Sequence, residues 1–529
     1  MHLTADKYSV TLFLLLLLVS CRGNVVKKSA VPPRIIQEAP VIEDTSTFLV
    51  RVGISRDKSF QMEAKEFSIL EGEREVFRGE GGFSIKFLDG KPGRIGYFEI
   101  VSRHRDIAEA IIDMKILQES GQRVFLYAIG VKVGPIDTRE YLILEGPYSS
   151  RKELEYRGIT DSSRYVRLLL EKPEGRAVVV YGSRKYTLKT PFTIRYTGLL
   201  KLKRYLEYDP LHGPRKLTRI YPGYFEVWTD VDGSRLSLVN VVHLEEYITG
   251  VLPYEMRPDF PLEALKAQAI LARTHAVANY NRKLNLTVFP YRLTDDVYTQ
   301  VYGGYSRVNE NVLRAARMTR GQVLSYGGDI VQAYFHSSCG GSLESSHVWD
   351  MNLPYYSAKA DNEEGIPLDL SDELSARRFI DNPDYSAYCS GKDGRGSLKG
   401  AREVFRWKRY VNKKLLGNRL KIGKAIEIVP LERSRGGRIK RLLIVGEEGR
   451  KEIDGELNIR RVLGHPGYLK SALFYAESRG ANFVIHGAGF GHGLGMCQYG
   501  AAFRALDGQK FYHILQFYVP GSRIKRIYF

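Results

Sequence analysis

Alternation of apolar and polar residues predicts strands along much of the first half of the chain. The clearest stretches are 47–55 (TFLVRVGIS), 96–102 (GYFEIVS), 123–134, 140–148, 192–208, 224–230 and 235–247. Between the second and third of these, helical spacing of apolar residues predicts a helix that begins near Asp106 and ends at Gly121. Its predicted apolar face consists of Ile107, Ile111, Met114 and Leu117.

The second half of the chain mixes the two periodicities. Helical spacing predicts helices at 262–281, 401–417 and about 508–518, whereas 419–449 indicates short strands. Strands and helices follow each other without a regular βα repeat, which favours an α+β fold over a doubly wound sheet. A chain of 529 residues exceeds what one hydrophobic core normally supports, so we expect a multi-domain protein.

The predicted helix at 262–281 combines a narrow small-residue stripe with polar side chains. The stripe consists of Leu262, Leu265, Ala269, Ala272 and Ala276. The other faces carry Lys266, Gln268, Arg273 and His275. If those faces are enclosed, such polar side chains are costly for a merely structural helix. If they are exposed, they form an ordinary solvated face.

The amino terminus predicts export. The apolar stretch Val10–Ser20 is too short to span a bilayer as a helix but has the length of a signal-peptide core. It ends in LVSC, which resembles the lipobox of bacterial lipoproteins and implies acylation of Cys21. We therefore expect a lipoprotein signal peptide at 1–21, a linker at 22–45, and an exported, membrane-anchored protein facing the cell wall or periplasm. A plain secretory signal is the alternative.

Composition narrows the partners and the chemistry. The net charge of +19 favours polyanionic surroundings, but no basic-aromatic stripe or nucleic-acid motif is present, so we expect no nucleic acid. Beyond Cys21 the chain has Cys339, Cys389 and Cys497, an odd number that allows at most one internal disulfide. Because their wide spacing contains no CxxC pattern, no metal is assigned, and no cofactor is expected.

Residues 95–170 form a compact predicted unit. Its order is strand, helix, strand, strand, helix, and Ser150 with Glu153 predicts a capping box at the second helix. This order, with LEGPYSSRKELE at the second strand-to-helix junction, resembles the SPOR domain of bacterial envelope proteins. The resemblance implies binding to peptidoglycan glycan that lacks stem peptides. A generic small α/β domain is the alternative.

Six blocks in order along the chain resemble the SpoIID/LytB family, named for stage II sporulation protein D. They are EEYITGVLPYEM (245–256), EALKAQAILARTHA (263–276), TQVYGG (299–304), FHSSCGGSLESSHVWD (335–350), YLKSALF (468–474) and GFGHGLGMCQYGA (489–501). The resemblance runs from about Phe192 to Phe529, within a predicted catalytic domain at 185–529. Its first piece is expected at 46–94, so the SPOR-like unit would be an insertion.

The resemblance implies a peptidoglycan lytic transglycosylase. Such enzymes cleave between N-acetylmuramic acid and N-acetylglucosamine and leave a 1,6-anhydro sugar. The family's catalytic acid maps onto Glu255. The apolar neighbours Leu252, Met256 and Phe260 would desolvate this carboxyl and raise its pKa. An ordinary surface glutamate is the alternative from composition alone.

A glycan strand also needs a binding surface. We interpret the glycines at 487–495 as a wall that lets main-chain amides approach a sugar. The candidate substrate-binding residues are Lys266, Gln268, Arg273, Tyr302, His336, Ser338, Gly340, Glu344, His492, Gln498 and Tyr499. Tyr302 is equally well interpreted as a core residue, and His492 as a turn-stabilising imidazole.

Two departures from the family pattern bear on function. Some members bind zinc through His and Cys near the Q-V-Y block, but here Thr299 precedes Gln300 and no Cys is near. Cys497 replaces the usual serine of the last block. Some relatives enhance a separate cell-wall amidase, so a non-catalytic glycan-binding protein is the alternative to an enzyme. A basic scaffold held by acidic wall polymers is a third.

Overall fold

The computed structural model describes residues 40–42, 48–209, 213–382, 385–391, 398–465 and 467–528, without the side chains of 204–216. The predicted signal peptide, Cys21 and most of the linker lie outside the described residues. Among the described helices, none combines the length and apolar character needed to cross a membrane. The described chain is 26% helical and 41% strand, which confirms the α+β fold class.

Seventeen strands precede residue 244 in the described chain. They are β1 (Val41–Ile42), β2 (Leu49–Asp57), β3 (Ser59–Glu71), β4 (Arg74–Lys91), β5 (Arg94–His104), β6 (Val124–Ile129), β7 (Lys132–Val133), β8 (Ile136–Asp137), β9 (Glu140–Tyr148), β10 (Tyr165–Glu171), β11 (Glu174–Tyr181), β12 (Arg184–Lys189), β13 (Phe192–Tyr196), β14 (Leu200–Asp209), β15 (Gly213–Tyr221), β16 (Tyr224–Thr229) and β17 (Leu236–His243).

The strands after residue 244 are shorter on average and form small sheets. They are β18 (Leu293–Thr294), β19 (Gln322–Tyr326), β20 (Asp329–Ile330), β21 (Phe335–His336), β22 (Ser342–Leu343), β23 (Lys359–Ala360), β24 (Arg406–Asn412), β25 (Ala425–Arg433), β26 (Ile439–Gly446), β27 (Gly449–Asp454), β28 (Phe474–Arg479), β29 (Asn482–Ala488), β30 (Met496–Cys497) and β31 (Arg523–Arg526).

The described helices lie mostly in the second half. They are α1 (Ile107–Glu119), α2 (Arg151–Tyr156), α3 (Leu244–Glu255), α4 (Leu262–Asn279), α5 (Glu310–Met318), α6 (Glu373–Asp381), α7 (Ala401–Phe405), α8 (Lys413–Leu420), α9 (Glu456–Gly464), α10 (Gln498–Leu506) and α11 (Phe511–Tyr518).

An 11-stranded sheet joins sequence from both sides of the 95–170 unit. Its main path is β12-β11-β4-β3-β13-β16-β17-β2-β18, and β14 with β15 branches from β3. β4, which precedes the unit, pairs antiparallel with β11, which follows it. The sheet therefore includes β11, which lies in the 171–184 stretch between the predicted domains.

Residues 94–171 form a four-stranded antiparallel sheet with two helices. The element order is β5, α1, β6, β9, α2, β10, and the sheet order is β10-β5-β9-β6. This is the split βαβ topology of ferredoxin-like domains. Asp106 caps α1 by accepting from the amides of Ala108 and Glu109, and Ser150 caps α2. The apolar face predicted for α1 is only partly buried, since Ile107 is 47% exposed.

Helix α4 crosses the centre of the largest hydrophobic core. Its small residues pack closely against α3, α5, α10 and β19, as the alanine-rich stripe predicted. A second core lies between β24–β29 and α8–α9 and includes Leu416, Ile444, Ile459 and Ile485. The 185–529 segment thus contributes to more than one core, a division that the sequence did not predict.

The helix predicted at 401–417 is wrong in its middle. α7 ends at Phe405 and α8 begins at Lys413, while 406–412 forms β24, antiparallel to β29. The Trp407 indole covers Gly487 and donates to the Gly489 carbonyl at 2.8 Å. Pairing with β29 and this contact override the local helical pattern.

Candidate active site

Glu255 is the last residue of α3, where the chain leaves the helix in an extended conformation at Met256. The main-chain amide of Val301 donates to Glu255 Oε1 at 2.6 Å. The neighbouring Gln300 side chain donates to the Ala272 carbonyl of α4 at 3.1 Å. The 299–304 block is thus fixed on α4 and in turn holds the Glu255 carboxyl.

The surroundings of Glu255 favour its neutral form. Glu255 is partly exposed, yet burial of its carboxyl raises the pKa to about 7, opposed only by the Val301 amide. Within the described chain no cation contributes to this pKa. A carboxyl with a pKa near neutrality can both give and take a proton at physiological pH, as a general acid/base must.

Tyr254 forms a wall beside Glu255. Its ring lies against Gly303, where a Cβ atom would come within 2.1 Å of the ring. The guanidinium groups of Arg219 and Arg307 lie over the same ring, at 5.4 and 4.8 Å from its centroid. Such cation–π contacts fix the aromatic ring and place positive charge near the end of α3.

The polar residues of α4 are enclosed rather than solvated. Arg273 is fully buried and makes a bidentate ion pair with Glu245, with contacts of 2.6 and 2.8 Å. Lys266 Nζ contacts Glu263 Oε1 at 2.7 Å. Internal carboxylates thus neutralise both charges and help to hold the buried helix, and substrate binding by Lys266 and Arg273 stays a prediction.

Tyr302 lies in the core. Its ring is fully buried beside Tyr221 and Tyr247, and its hydroxyl donates to Asn240 Oδ1 at 2.8 Å. A ring enclosed in this way has the contacts of a core residue, and sugar stacking by Tyr302 stays a prediction.

The glycine-rich segment packs along 334–340 instead of forming an open wall. β21 pairs with β30, and Ser338 and Phe490 exchange main-chain hydrogen bonds at 3.0 and 2.7 Å. The amides of Gly489 and Gly491 donate to the carbonyls of Phe405 and Lys470. These two amides are therefore satisfied within the fold, and the approach of a sugar to the rest of the segment stays a prediction.

Gly493 shows why this segment needs glycine. Its φ is +82°, and a Cβ atom there would lie 2.2 Å from the Arg438 guanidinium carbon. Arg438 is fully buried and ion-pairs with Glu344, 3.4 Å between Nη1 and Oε1. Glu344 Oε1 also accepts from Ser434 Oγ at 2.5 Å and from the Arg438 amide at 3.2 Å. Glu344 is therefore bound by groups of its own chain, and its contact with a substrate stays a prediction.

His336 and His492 lie together at the edge of this network, with ring centroids 5.4 Å apart. His492 also contacts Trp349 at 4.7 Å and Tyr334 at 6.4 Å. Its Nδ1 accepts from the Leu494 amide, as in the turn-stabilising interpretation, and burial together with Arg460 and Arg438 lowers its pKa to about 3. Burial also lowers the pKa of His336, so both imidazoles are neutral at pH 7.

The remaining candidates lie in three places. Ser338 and Gly340 are buried in the contact between 334–340 and 489–495, where the Gly340 amide donates to Ser338 Oγ. Gln498 Nε2 approaches Gln268 Oε1 at 3.4 Å, which joins α10 to α4. The Tyr499 ring contacts Phe260 at 5.2 Å, and its hydroxyl donates to the Lys399 carbonyl.

Several residues of this region were missed in the sequence analysis. They are the Val301 amide that holds Glu255, the Trp349 ring beside His492, Arg438 against Gly493, and Asp361, which lies among the three cysteines. Trp349 lies inside the 335–350 block, so an aromatic residue in a block predicted to bind sugar was an available signal. A main-chain amide and a distant Arg or Asp carry no local signal.

Two concave surfaces of about 560 and 300 Å³ lie elsewhere. The larger is lined by Glu63, Lys65, Glu80 and Lys201, and the smaller by His243, Glu245, Arg320 and Tyr528. Neither is lined by Glu255. We place the candidate site at the desolvated carboxyl rather than at the larger depression, because a broad surface with paired charges offers no activated group.

Comparisons with known proteins support the class that this fold and site indicate. The family model described as "Stage II sporulation protein" (SpoIID) matches residues 232–326, which contain Glu255, α4 and the 299–304 block. A second model, a domain of unknown function (DUF8618), matches 344–495. The two matches cover both the α3–α4 region and most of the second core.

Curated relatives point the same way. An "Amidase enhancer" of Bacillus subtilis is 32% identical over 296 residues, which cover 52% of this chain and 40% of that protein. A "Stage II sporulation protein D" of the same species is 28% identical over 299 residues, 54% of this chain and 75% of the relative. An uncharacterized protein of Brachyspira hyodysenteriae is 29% identical over 292 residues, 55% and 68% respectively. The match spans less than half the length of the amidase enhancer, and together these relatives support the SpoIID resemblance.

Proposed function

We propose that the protein is a SpoIID-type cell-wall enzyme, a lytic transglycosylase acting on glycan strands that lack stem peptides. The observation that carries the proposal is the Glu255 carboxyl. It is held by the Val301 amide at 2.6 Å, and burial raises its pKa to about 7. The SpoIID family match includes this residue.

A single carboxyl suffices for this reaction. Glu255 donates its proton to the glycosidic oxygen as the bond from muramic acid C1 to that oxygen breaks. The C6 hydroxyl oxygen of the muramic acid then bonds to C1, and its proton returns to Glu255. No water is consumed, the product is a 1,6-anhydro sugar, and the second carboxylate of ordinary glycosidases is not needed.

The two oxygens of Glu255 have different roles in this scheme. Oε1 accepts the Val301 N–H and fixes the plane of the carboxyl. Oε2 is the oxygen to which we assign the proton transfer. The imidazole of His492 and the ring of Trp349 are assigned to sugar contacts. Both residues are partly exposed, the imidazole is neutral, and the tryptophan offers an aromatic face.

Mass spectrometry of products from peptide-free glycan tests the enzyme. We expect the wild-type protein to release anhydro-ended fragments and Glu255→Gln to release about 10²–10⁴-fold less while still sedimenting with glycan. Glu246→Gln, a partly exposed carboxyl on the same helix, is the matched control and should retain activity. Undiminished release by a folded Glu255→Gln protein would remove the assignment.

A second function is favoured by the name of one relative, an amidase enhancer. In this alternative the protein binds glycan and positions or stimulates a cell-wall amidase without cutting glycan itself. The same glycan incubation separates the two proposals. Sedimentation with glycan, no anhydro ends, and faster stem-peptide release when a purified cell-wall amidase is added would favour the enhancer.

We propose that residues 95–170 are a SPOR-like unit that binds the denuded strand. The split βαβ topology supports this, and Tyr156 at the end of α2 is 91% exposed, which makes its ring available to a sugar. Tyr156→Ala in the full chain should weaken sedimentation with denuded glycan. Tyr410→Ala, another exposed tyrosine outside this unit, is the control. Equal loss in both variants would contradict the proposal.

We propose that the protein is exported and anchored through acylated Cys21. The apolar stretch Val10–Ser20 followed by LVSC supports this localisation. Fractionation of cells that express the full chain tests it. The wild-type protein should sediment with membranes and Cys21→Ser should not. A Cys21→Ser protein that remains fully membrane-bound would contradict lipid anchoring.

A further inference from the structure

Three thiols and one carboxyl meet in a buried cluster next to the glycine-rich segment. The residues are Cys339, Asp361, Cys389 and Cys497, and all four are fully buried. Their sulfur and carboxylate oxygen atoms lie within 4.8 Å of one another. Cys339 Sγ is 3.4 Å from Cys389 Sγ and 3.2 Å from Asp361 Oδ2.

These distances suit a tetrahedral metal site. With zinc–sulfur bonds of about 2.3 Å and zinc–oxygen bonds of about 2.0–2.2 Å, ligand atoms of a tetrahedron lie about 3.5–3.8 Å apart. The four side chains come from four separate segments, so small rotations suffice to close the set on one ion. Thiolates with a single carboxylate favour zinc over the harder cations magnesium and calcium.

Surrounding groups orient the ligands as they do around structural metal sites. Asp361 Oδ1 accepts from the Tyr518 hydroxyl at 2.8 Å and from Arg504 Nη2 at 3.3 Å, so Oδ2 points to the sulfurs. Cys497 Sγ accepts from the amides of Cys339 at 3.2 Å and Gly500 at 3.3 Å. The absence of a side chain at Gly500 provides space for the Asp361 carboxylate, since a Cβ at this position would lie 2.3 Å from Asp361 Oδ2.

The charge of a loaded site is offset nearby. Three thiolates, one carboxylate and one zinc ion sum to a charge of −2. The buried guanidinium of Arg504 contacts Asp361, and that of Arg406 donates to the Gly340 carbonyl next to Cys339. Two positive charges therefore stand beside the cluster, which lowers the cost of burying an anionic centre.

We propose that Cys339, Cys389, Cys497 and Asp361 bind one zinc ion. Binding releases the three thiol protons to solvent and changes no oxidation state. The site is structural: it ties the 335–343 segment, the Asp361 loop, the Cys389 turn and the start of α10 together. It uses none of Thr299, Gln300 or Val301, and it is independent of the transglycosylase proposal.

A disulfide is the competing use of these sulfurs. A bond between Cys339 and Cys389 would bring their sulfurs to about 2.05 Å and leave Cys497 and Asp361 without a function in the cluster. The four-residue convergence is explained by a metal and not by one disulfide. A metal-free protein with a mass lower by two hydrogens would overturn the zinc proposal in favour of the disulfide.

Metal analysis of the full chain tests the proposal. Cys21→Ser serves as the reference because it removes the remaining cysteine and keeps all four ligands. Purified from zinc-supplemented medium, it should contain about one zinc per chain. Adding Cys389→Ser should reduce the zinc content at least tenfold, and Asp361→Asn should weaken zinc retention against a chelator at least tenfold. Asp350→Asn, an exposed carboxyl, should change neither.

The reference protein alone decides the outcome if a cysteine variant fails to fold. Cobalt substitution of the reference protein should give thiolate-to-cobalt charge-transfer absorption with tetrahedral d–d bands. Zinc removal should lower its thermal midpoint and expose three reactive thiols. A folded reference protein that retains no zinc after reconstitution under reducing conditions overturns the proposal.

Discussion

Glu255 and Glu344, two glutamates whose carboxyl groups are desolvated, show how partners decide what an acid does. Burial raises the pKa of both. Glu344 lies against the Arg438 guanidinium, the Ser434 hydroxyl and a main-chain amide, all of which stabilise its charged form. The charged form of Glu255 is stabilised in the described structure by a single main-chain N–H, that of Val301. Glu344 is therefore fixed as one half of an ion pair, whereas Glu255 remains able to exchange a proton.

The largest effect is expected when Glu344 loses its cation. Arg438→Met keeps the volume but leaves a buried carboxyl without its cation, which we expect to cost about 3–5 kcal/mol of unfolding free energy. Denaturant unfolding followed by circular dichroism measures it. Arg441→Met changes a half-exposed arginine on β26, three residues after Arg438, and should stay within about 0.5 kcal/mol. An unchanged midpoint for Arg438→Met would mean that Glu344 needs no cation.

The corresponding prediction for Glu255 concerns pH. Its folded pKa of about 7 lies above that of an unfolded glutamate, so the folded state holds the proton more tightly. The contribution of Glu255 to stability is therefore fully present below about pH 4.5, and about 3 kcal/mol of it is lost as the pH rises from there to about 7. Glu255→Gln should remove this slope, and it should be more stable than wild type above pH 7. Parallel pH profiles for the two proteins would contradict the raised pKa.

A smaller effect is expected from the hydroxyl that helps hold Glu344. Ser434→Ala removes a hydrogen bond to a buried carboxylate and should cost about 1–3 kcal/mol of unfolding free energy. The same denaturant assay applies, with the exposed Ser371→Ala as the control. The loss should be smaller than for Arg438→Met. The reverse order would show that the hydroxyl, and not the cation, carries the pair.

The smallest effect is the pH dependence of glycan cleavage. Glu255 must be protonated to act as the acid, so the initial rate of anhydro-end formation should fall about tenfold per pH unit above about 7. The trace activity of Glu255→Gln should lack this alkaline limb. A wild-type rate that stays level to pH 9 would indicate that a different group donates the proton.

Local sequence patterns predicted α4 well and residues 401–417 poorly. The period of 262–281 predicted α4 to within two residues, because a buried helix with a small-residue stripe has few alternatives. Residues 401–417 were misjudged because β24 exists only through pairing with β29. Glu255 was singled out by its motif and its apolar neighbours, whereas the Val301 amide that holds it cannot be recognised from residue type.

The glycine-rich segment is the most instructive case. Its composition predicted that the backbone must be approached closely, and the structure shows that the approaching groups are Arg438 and the 334–340 segment of the same chain. The sequence also gave only part of the arrangement of the three cysteines. Their sequence distances of 50 and 108 residues hide a cluster that also includes Asp361.

The sequence by itself determined the α+β class, the positions of α1, α4 and α11, and the motif that singles out Glu255, because periodicity and short motifs are local properties. Only the tertiary structure decided which charges are neutralised, which carboxyl stays unpaired, and which sulfurs meet. The reason is physical: desolvation and Coulomb energy depend on distances between groups that are far apart along the chain, and no local pattern records those distances.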